Sequence, residues 1–275
     1  MRWEGNEQSD NVEDRRGEGG GGGGGFIGGR GIGIGTIAVA LIAGWVFGIN
    51  PLTVLSLLSG GGGPAQVQQQ QQGPAPRPPS NDREAAFVST VLKNTEVVWT
   101  DIFRKNGGTY HPPRLVLFRN ATPTACGTGQ SAMGPFYCPP DKRVFLDTAF
   151  FREMEQKFRA CKGKQCEFAQ AYVMAHEVGH HIQNLLGIIP RVTRLQQQAG
   201  SKAEANALQV KVELQADCLS GVWVNREAKK RPNFLEAGDI DAALTTASAI
   251  GDDTCLLYTS PSPRDRTRSR MPSSA

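Results

Sequence analysis

The chain has 275 residues, with 30 Lys+Arg against 26 Asp+Glu for a formal charge of +4, and 39% of it is hydrophobic. That positive excess is local: residues 254–275 hold four arginines and one aspartate, and without them the balance falls to +1. So small a charge excludes an electrostatic case for a nucleic-acid partner.

Residues 1–31 are polar and glycine-rich, with an unbroken glycine run from Gly19 to Gly25, and read as a disordered N-terminal segment. Ile32–Leu58 carries no charged side chain and is long enough to cross a ~30 Å hydrocarbon layer. The polar residues ahead of it, and the lack of a clear cleavage site behind it, favour a retained transmembrane helix over a cleaved signal peptide. Arg15, Arg16 and Arg30 precede this stretch and nothing basic follows until Arg77. That bias predicts a single-pass protein of a bacterial cytoplasmic membrane, with the rest of the chain outside. Residues 59–80 form a Gly/Gln/Pro linker too poor in apolar side chains to fold, so the folded domain is expected over 81–253.

Within that domain, Asn81-x-x-Glu84 is capping-box-like and opens a helix with Phe87, Val91, Val98 and Ile102 at helical spacing, up to Gly107-Gly108. RLVLF (Arg114–Phe118) and RVFLD (Arg143–Asp147) read as strands. Between them a Gly/Pro-rich loop is bracketed by Cys126 and Cys138, and further on Cys161 and Cys166 enclose KGKQ. Both pairs are candidate disulfides of an oxidising compartment; their C-x11-C and C-x4-C spacings do not match the usual zinc knuckles. A helix follows over about 168–186, stopped by Gly187 with Pro190 beyond. Ser201-x-x-Glu204 caps a long helix running to about Lys230, in which Cys218 reads as a buried thiol, and residues 239–250 form one more. A small sheet followed by a mostly helical half is an α+β order. From Cys255 the chain loses periodicity, and CLLYTSPSPRD reverse-translates to a transposase-based sequencing adapter, so 254–275 read as a translated artefact.

Chemistry concentrates in AHEVGHHIQ, which holds three of the four histidines. His176 and His180 are four apart, hence on one helix face, and both imidazoles can reach one metal ion. Glu177 is rotated about 100° from His176 and stands beside the metal, where a carboxylate acts as general base. His181 reads as a spare, exposed or capping. A catalytic zinc needs a third protein ligand, and VELQADC offers Glu213 and Asp217 on one face of the long helix. Two acids in that apolar stretch call for a partner: Glu213 on the metal, Asp217 accepting the outer N–H of His176 or His180. His111, in TYHPPR, is either a loop residue, a substrate-side donor or the fourth ligand of a closed structural site.

H-E-x-x-H followed 33 residues later by E-x-x-A-D, together with SAMGPFYCP, FAQAYVMAHEVGHHIQ, VELQADCLSGVW and AIGDD, resembles the bacterial neutral zinc metallopeptidase family. The resemblance covers residues 1–253 and implies a zincin-like domain behind one membrane span, one Zn2+, and peptide or protein substrates. It assigns His176, His180 and Glu213 as ligands and Glu177 as catalytic acid/base. It also implies residues past AIGDD, including a Thr-His-Gly stretch, so this chain is expected to bind zinc and hydrolyse poorly. The competing reading is a zincin-shaped module that binds zinc and partners without proteolysis. Substrate is expected as an extended strand along a sheet edge near Arg143–Asp147.

Overall fold

The sheet joins a strand from the start of the chain to strands from its middle. A computed structural model describes residues 1–18, 76–79, 81–131, 134–156 and 164–250, all within one compact unit. Strand β1 (Val12–Asp14) pairs in parallel with β2 (Arg114–Phe118), Val12 opposite Leu115. β2 pairs in parallel with β6 (Arg143–Asp147), Leu115 opposite Val144, and β6 pairs antiparallel with β5 (Phe136–Cys138). The order is β1-β2-β6-β5, and β3 (Ala121–Thr124) and β4 (Gly127–Gln130) form a separate hairpin. β2 and β6 are buried almost throughout, Leu115, Val116, Leu117, Phe145 and Leu146 having no exposed surface, as the two central strands of a covered sheet must be.

Six helices surround this sheet among the described residues: α1 (Arg83–Lys105), α2 (Ala149–Gln156), α3 (Gln165–Leu185), α4 (Ile188–Gln198), α5 (Lys202–Lys230) and α6 (Asp239–Ile250). Their caps follow local chemistry. Asp82, one residue after the expected start, accepts from the Ala85 amide and begins α1; Ser201 accepts from the Glu204 amide and begins α5. α3 ends at Leu185 with Leu186 as its cap, and Gly187 at φ 73° turns the chain straight into α4. Pro190, expected to mark a stop, sits in the first turn of α4, where its missing N–H costs nothing.

Three expectations are corrected. The fold is a mixed α/β domain, and the transmembrane helix placed at 32–58 is not supported: no helix among the described residues is long and apolar enough to cross a membrane. Residues 32–58 themselves lie outside the described residues, as do the linker at 59–75 and the tail from 251. Residues 1–18 are packed on the domain instead of forming a polar tail. Trp3 is buried edge-on against Phe87 and donates to Glu167 at 3.0 Å; Ser9 and Asn11 donate to buried Glu96 at 2.6 and 2.8 Å. Average polarity hid these few anchors. Cys218 is exposed, not buried, because its position turns it away from the stripe that carries Val212 and Trp223.

Candidate metal centre

Two helices cross to make the site. Gly179 of α3 lies against Ala216 of α5, so close that a Cβ on it would stand 3.0 Å from the Ala216 carbonyl oxygen. The contact brings the 176/180 face of α3 over the 213/217 face of α5. Ligand atoms of His176, His180 and Glu213 lie within 4.8 Å of one another. Glu213 Oε2 is 3.2 Å from His176 Nε2 and 3.3 Å from His180 Nε2. Tetrahedral zinc with ligands at ~2.0–2.1 Å sets ligand atoms ~3.3 Å apart, so two imidazoles and one carboxylate here fit such an ion.

Each candidate ligand is aimed by a second group. His176 Nδ1 donates to Asp217 Oδ1 at 2.8 Å, and the Tyr172 hydroxyl donates to the same oxygen at 2.9 Å. His180 Nδ1 donates to Gln183 Oε1 at 2.9 Å. The Gln183 amide is oriented by its own donations, to the Val212 carbonyl at 2.8 Å and Gln215 Oε1 at 2.9 Å. Gln209 donates to Glu213 Oε1 at 2.5 Å, which leaves Oε2 facing the imidazoles. Such outer partners fix the tautomer and raise ligand basicity. Asp217 was expected to serve either histidine and serves His176. Gln183 and Gln209 escape a sequence reading because glutamines on helices pass for solvent-facing filler; the spacings His180–Gln183 and Gln209–Glu213 are the signal that was present.

Electrostatics follow the same geometry. Burial opposes charge on His176, but its bonds to Asp217 and Glu213 win and raise its pKa to about 10. His180 moves the same way: burial is outweighed by Glu213 and by the charge of Glu177. Burial would raise Glu213, yet the two imidazoles hold it well below the usual carboxylate range. Positive charge is thus stabilised at the point where the three donors meet, which is the demand a divalent cation meets. Glu177 is buried, and with these ligands it lines a cleft of about 310 Å³.

His181 faces the opposite way. It is 1% exposed, its Nε2 donates to the His111 carbonyl at 2.7 Å, and its Nδ1 accepts from the Tyr137 hydroxyl at 3.0 Å. Asn184 donates to that hydroxyl at 2.9 Å, so α3 is tied to strand β5 beside the cleft. Burial lowers the His181 pKa to about 4. His111 contributes its backbone and keeps an exposed side chain away from the metal-ligand cluster. Cys126 and Cys138 are bonded, pinning β5 to the hairpin; Cys166 is disulfide-bonded, and Cys161 lies outside the described residues. Arg143–Asp147 offers no free edge, since β2 and β5 flank it; β5 is the strand that ends the sheet, and its Phe136 and Tyr137 line the cleft.

A family model described as "Putative neutral zinc metallopeptidase" matches residues 1–261. The chain belongs to that family. It is 46% identical over 260 residues to the uncharacterized protein YpfJ of Escherichia coli K12, covering 92% of this chain and 84% of that one. It is 42% identical over 152 residues to the uncharacterized protein Rv2575 of Mycobacterium tuberculosis H37Rv, covering 52% of this chain and 49% of that one. No solved structure matches. Zinc, in this family's description, agrees with the donor set assembled by α3 and α5.

Proposed function

We propose that this member of the family is a working zinc peptidase, holding one Zn2+ per chain through His176, His180 and Glu213 and hydrolysing peptide bonds. The observation that carries the reading is the convergence of three ligand atoms within 4.8 Å, each aimed by a hydrogen-bonded partner, beside the buried carboxylate of Glu177 in an open cleft. A zinc ion there supplies the Lewis acidity that polarises the scissile carbonyl and acidifies water. Glu177 accepts the proton of the attacking water and returns it to the leaving amine. Asp217 and Gln183 keep the Nε2 lone pairs of both histidines on the metal side. The peptide lies against the free edge of β5, the terminal strand beside the cleft, where backbone hydrogen bonds hold it without a strong sequence requirement. The Cys126–Cys138 bond fits an oxidising compartment outside the cytoplasm.

The test is metal analysis and casein hydrolysis on the full chain. Wild type is expected to hold one zinc and to cleave slowly but measurably; His176→Ala to lose the zinc; Glu177→Gln to keep it and lose hydrolysis by ~10²–10⁴-fold. Stoichiometric zinc without any cleavage by wild type would overturn the peptidase reading in favour of a binding module.

A further inference from the structure

One wall of the cleft belongs to a helix that leans on the core through half-buried Ile189. α4 has no fully buried residue, yet Ile189, Val192, Thr193 and Gln196 all line the cleft. Their spacing of three, one and three is a single helical face. Arg191 and Arg194 fall on the other faces and are exposed. Opposite α4 stand Phe136 of β5 and Val212 of α5. Phe136 is fixed in place: it stacks on Phe145 with centroids 5.0 Å apart and rests on Gly129, where a Cβ would come within 2.4 Å of its ring. No lysine or arginine among the described residues lines this cleft, and its histidines and acids are those of the zinc centre.

We infer that Phe136, Ile189, Val192 and Val212 form the specificity pocket of the enzyme, and that it takes the uncharged apolar side chain of a peptide residue next to the bond cut. The inference rests on the peptidase reading and names its substrate class. A charged side chain entering here gives up its hydration against four apolar residues. An acidic one also meets Glu177, and no lysine or arginine among the described lining residues pairs with it. The wall is held at a set distance from the zinc centre by a chain of amides. Gln196 donates to Gln209 at 3.1 Å and to the Ala205 carbonyl at 3.3 Å, and Gln209 donates to the ligand Glu213. Gln196 is therefore a positioning residue that couples the pocket to the metal without touching it.

Two readouts test this on the full zinc-loaded chain. Mass spectrometry of casein products should place apolar residues (Leu, Val, Ile, Phe) beside the cleaved bond, with acidic residues depleted on the order of 100-fold. Fluorescence anisotropy with Glu177→Gln, which does not turn over, should show a peptide with a central leucine binding at least ~10-fold more tightly than its aspartate counterpart. Val192→Asp, a half-exposed site whose change leaves the core untouched, should lose the leucine preference and gain ~10-fold for a lysine peptide, with zinc still at one per chain. Casein cleavage that ignores side-chain charge, or a Val192→Asp variant with unchanged preferences, overturns the pocket while the peptidase reading stands. Zinc present with no casein cleaved overturns the peptidase reading; if the leucine and aspartate peptides also bind equally to Glu177→Gln, the pocket falls with it.

Discussion

Adding one methyl group at Gly179 should damage the proposed zinc centre without touching a proposed ligand. The new Cβ would stand 3.0 Å from the Ala216 carbonyl oxygen, 3.1 Å from its Cα and 3.3 Å from its Cβ. Carbon contacts are comfortable at ~3.5–4.0 Å, so the helices must part by about 0.5 Å. Overpacking of this kind costs ~1–3 kcal/mol, while alanine recovers up to ~1 kcal/mol of helix propensity over glycine. Net stability should therefore fall by only ~0–2 kcal/mol. The metal site should suffer more, because ligand distances tolerate about 0.2 Å and Glu213 sits on the helix being pushed from His176 and His180. We expect Gly179→Ala to bind zinc at least ~10-fold more weakly in a chelator competition, with a modest drop in Tm. Adding Ala216→Gly removes only the 3.3 Å contact and should restore affinity in part. Wild-type zinc affinity in Gly179→Ala would refute the claim that this crossing sets the ligand geometry.

Other perturbations separate the supporting groups. Asp217→Asn keeps the shape but weakens the acceptor for His176 Nδ1 and the Tyr172 hydroxyl, so zinc affinity should fall ~10–100-fold by the same competition assay. His181 is held neutral by burial, with its pKa at about 4 against 6.5 when exposed. The unfolded chain then takes up a proton that the folded one refuses, so its contribution is whole above pH 6.5 and is lost as pH falls towards 4, up to about 3 kcal/mol. Denaturant unfolding in EDTA should show this slope between pH 6.5 and 4 in wild type and a flatter one in His181→Phe; equal slopes would assign the acid sensitivity elsewhere.

The readable part of this site was local. His176 with His180, and Glu213 with Asp217, are pairs four apart, and helix geometry alone puts each pair on one face. That α3 meets α5 at Gly179 and Ala216 is a long-range fact, and the glycine inside the motif was its sole trace. β1 was missed for the same reason: three residues in a polar segment become a strand only because β2 offers a parallel edge 103 residues away, at Val12 opposite Leu115. α4 was missed because Pro190 is a stop signal except in a first turn, and sequence does not say where a first turn begins.

Position 183 shows why the two histidines are supported differently. His176 leans on a carboxylate and His180 on an amide, although a carboxylate would make the stronger acceptor. Gln183 is fully buried and must accept on one atom while its other donates to the Val212 carbonyl and to Gln215 Oε1. Of the side chains of this length, only glutamine does both. Glutamate would improve the bond to His180 and leave two acceptors, the buried Val212 carbonyl and the amide oxygen of exposed Gln215, facing its second oxygen. Each lost partner costs ~1–3 kcal/mol, and more when a charge is buried without one. Gln183→Glu should therefore be less stable than Gln183→Met, which leaves the acceptors unpaired but adds no charge. Thermal unfolding with zinc present and with EDTA reads both effects. A Gln183→Glu variant as stable as wild type, holding zinc as tightly, would mean that α5 gives way here and that the amide is not what aims His180.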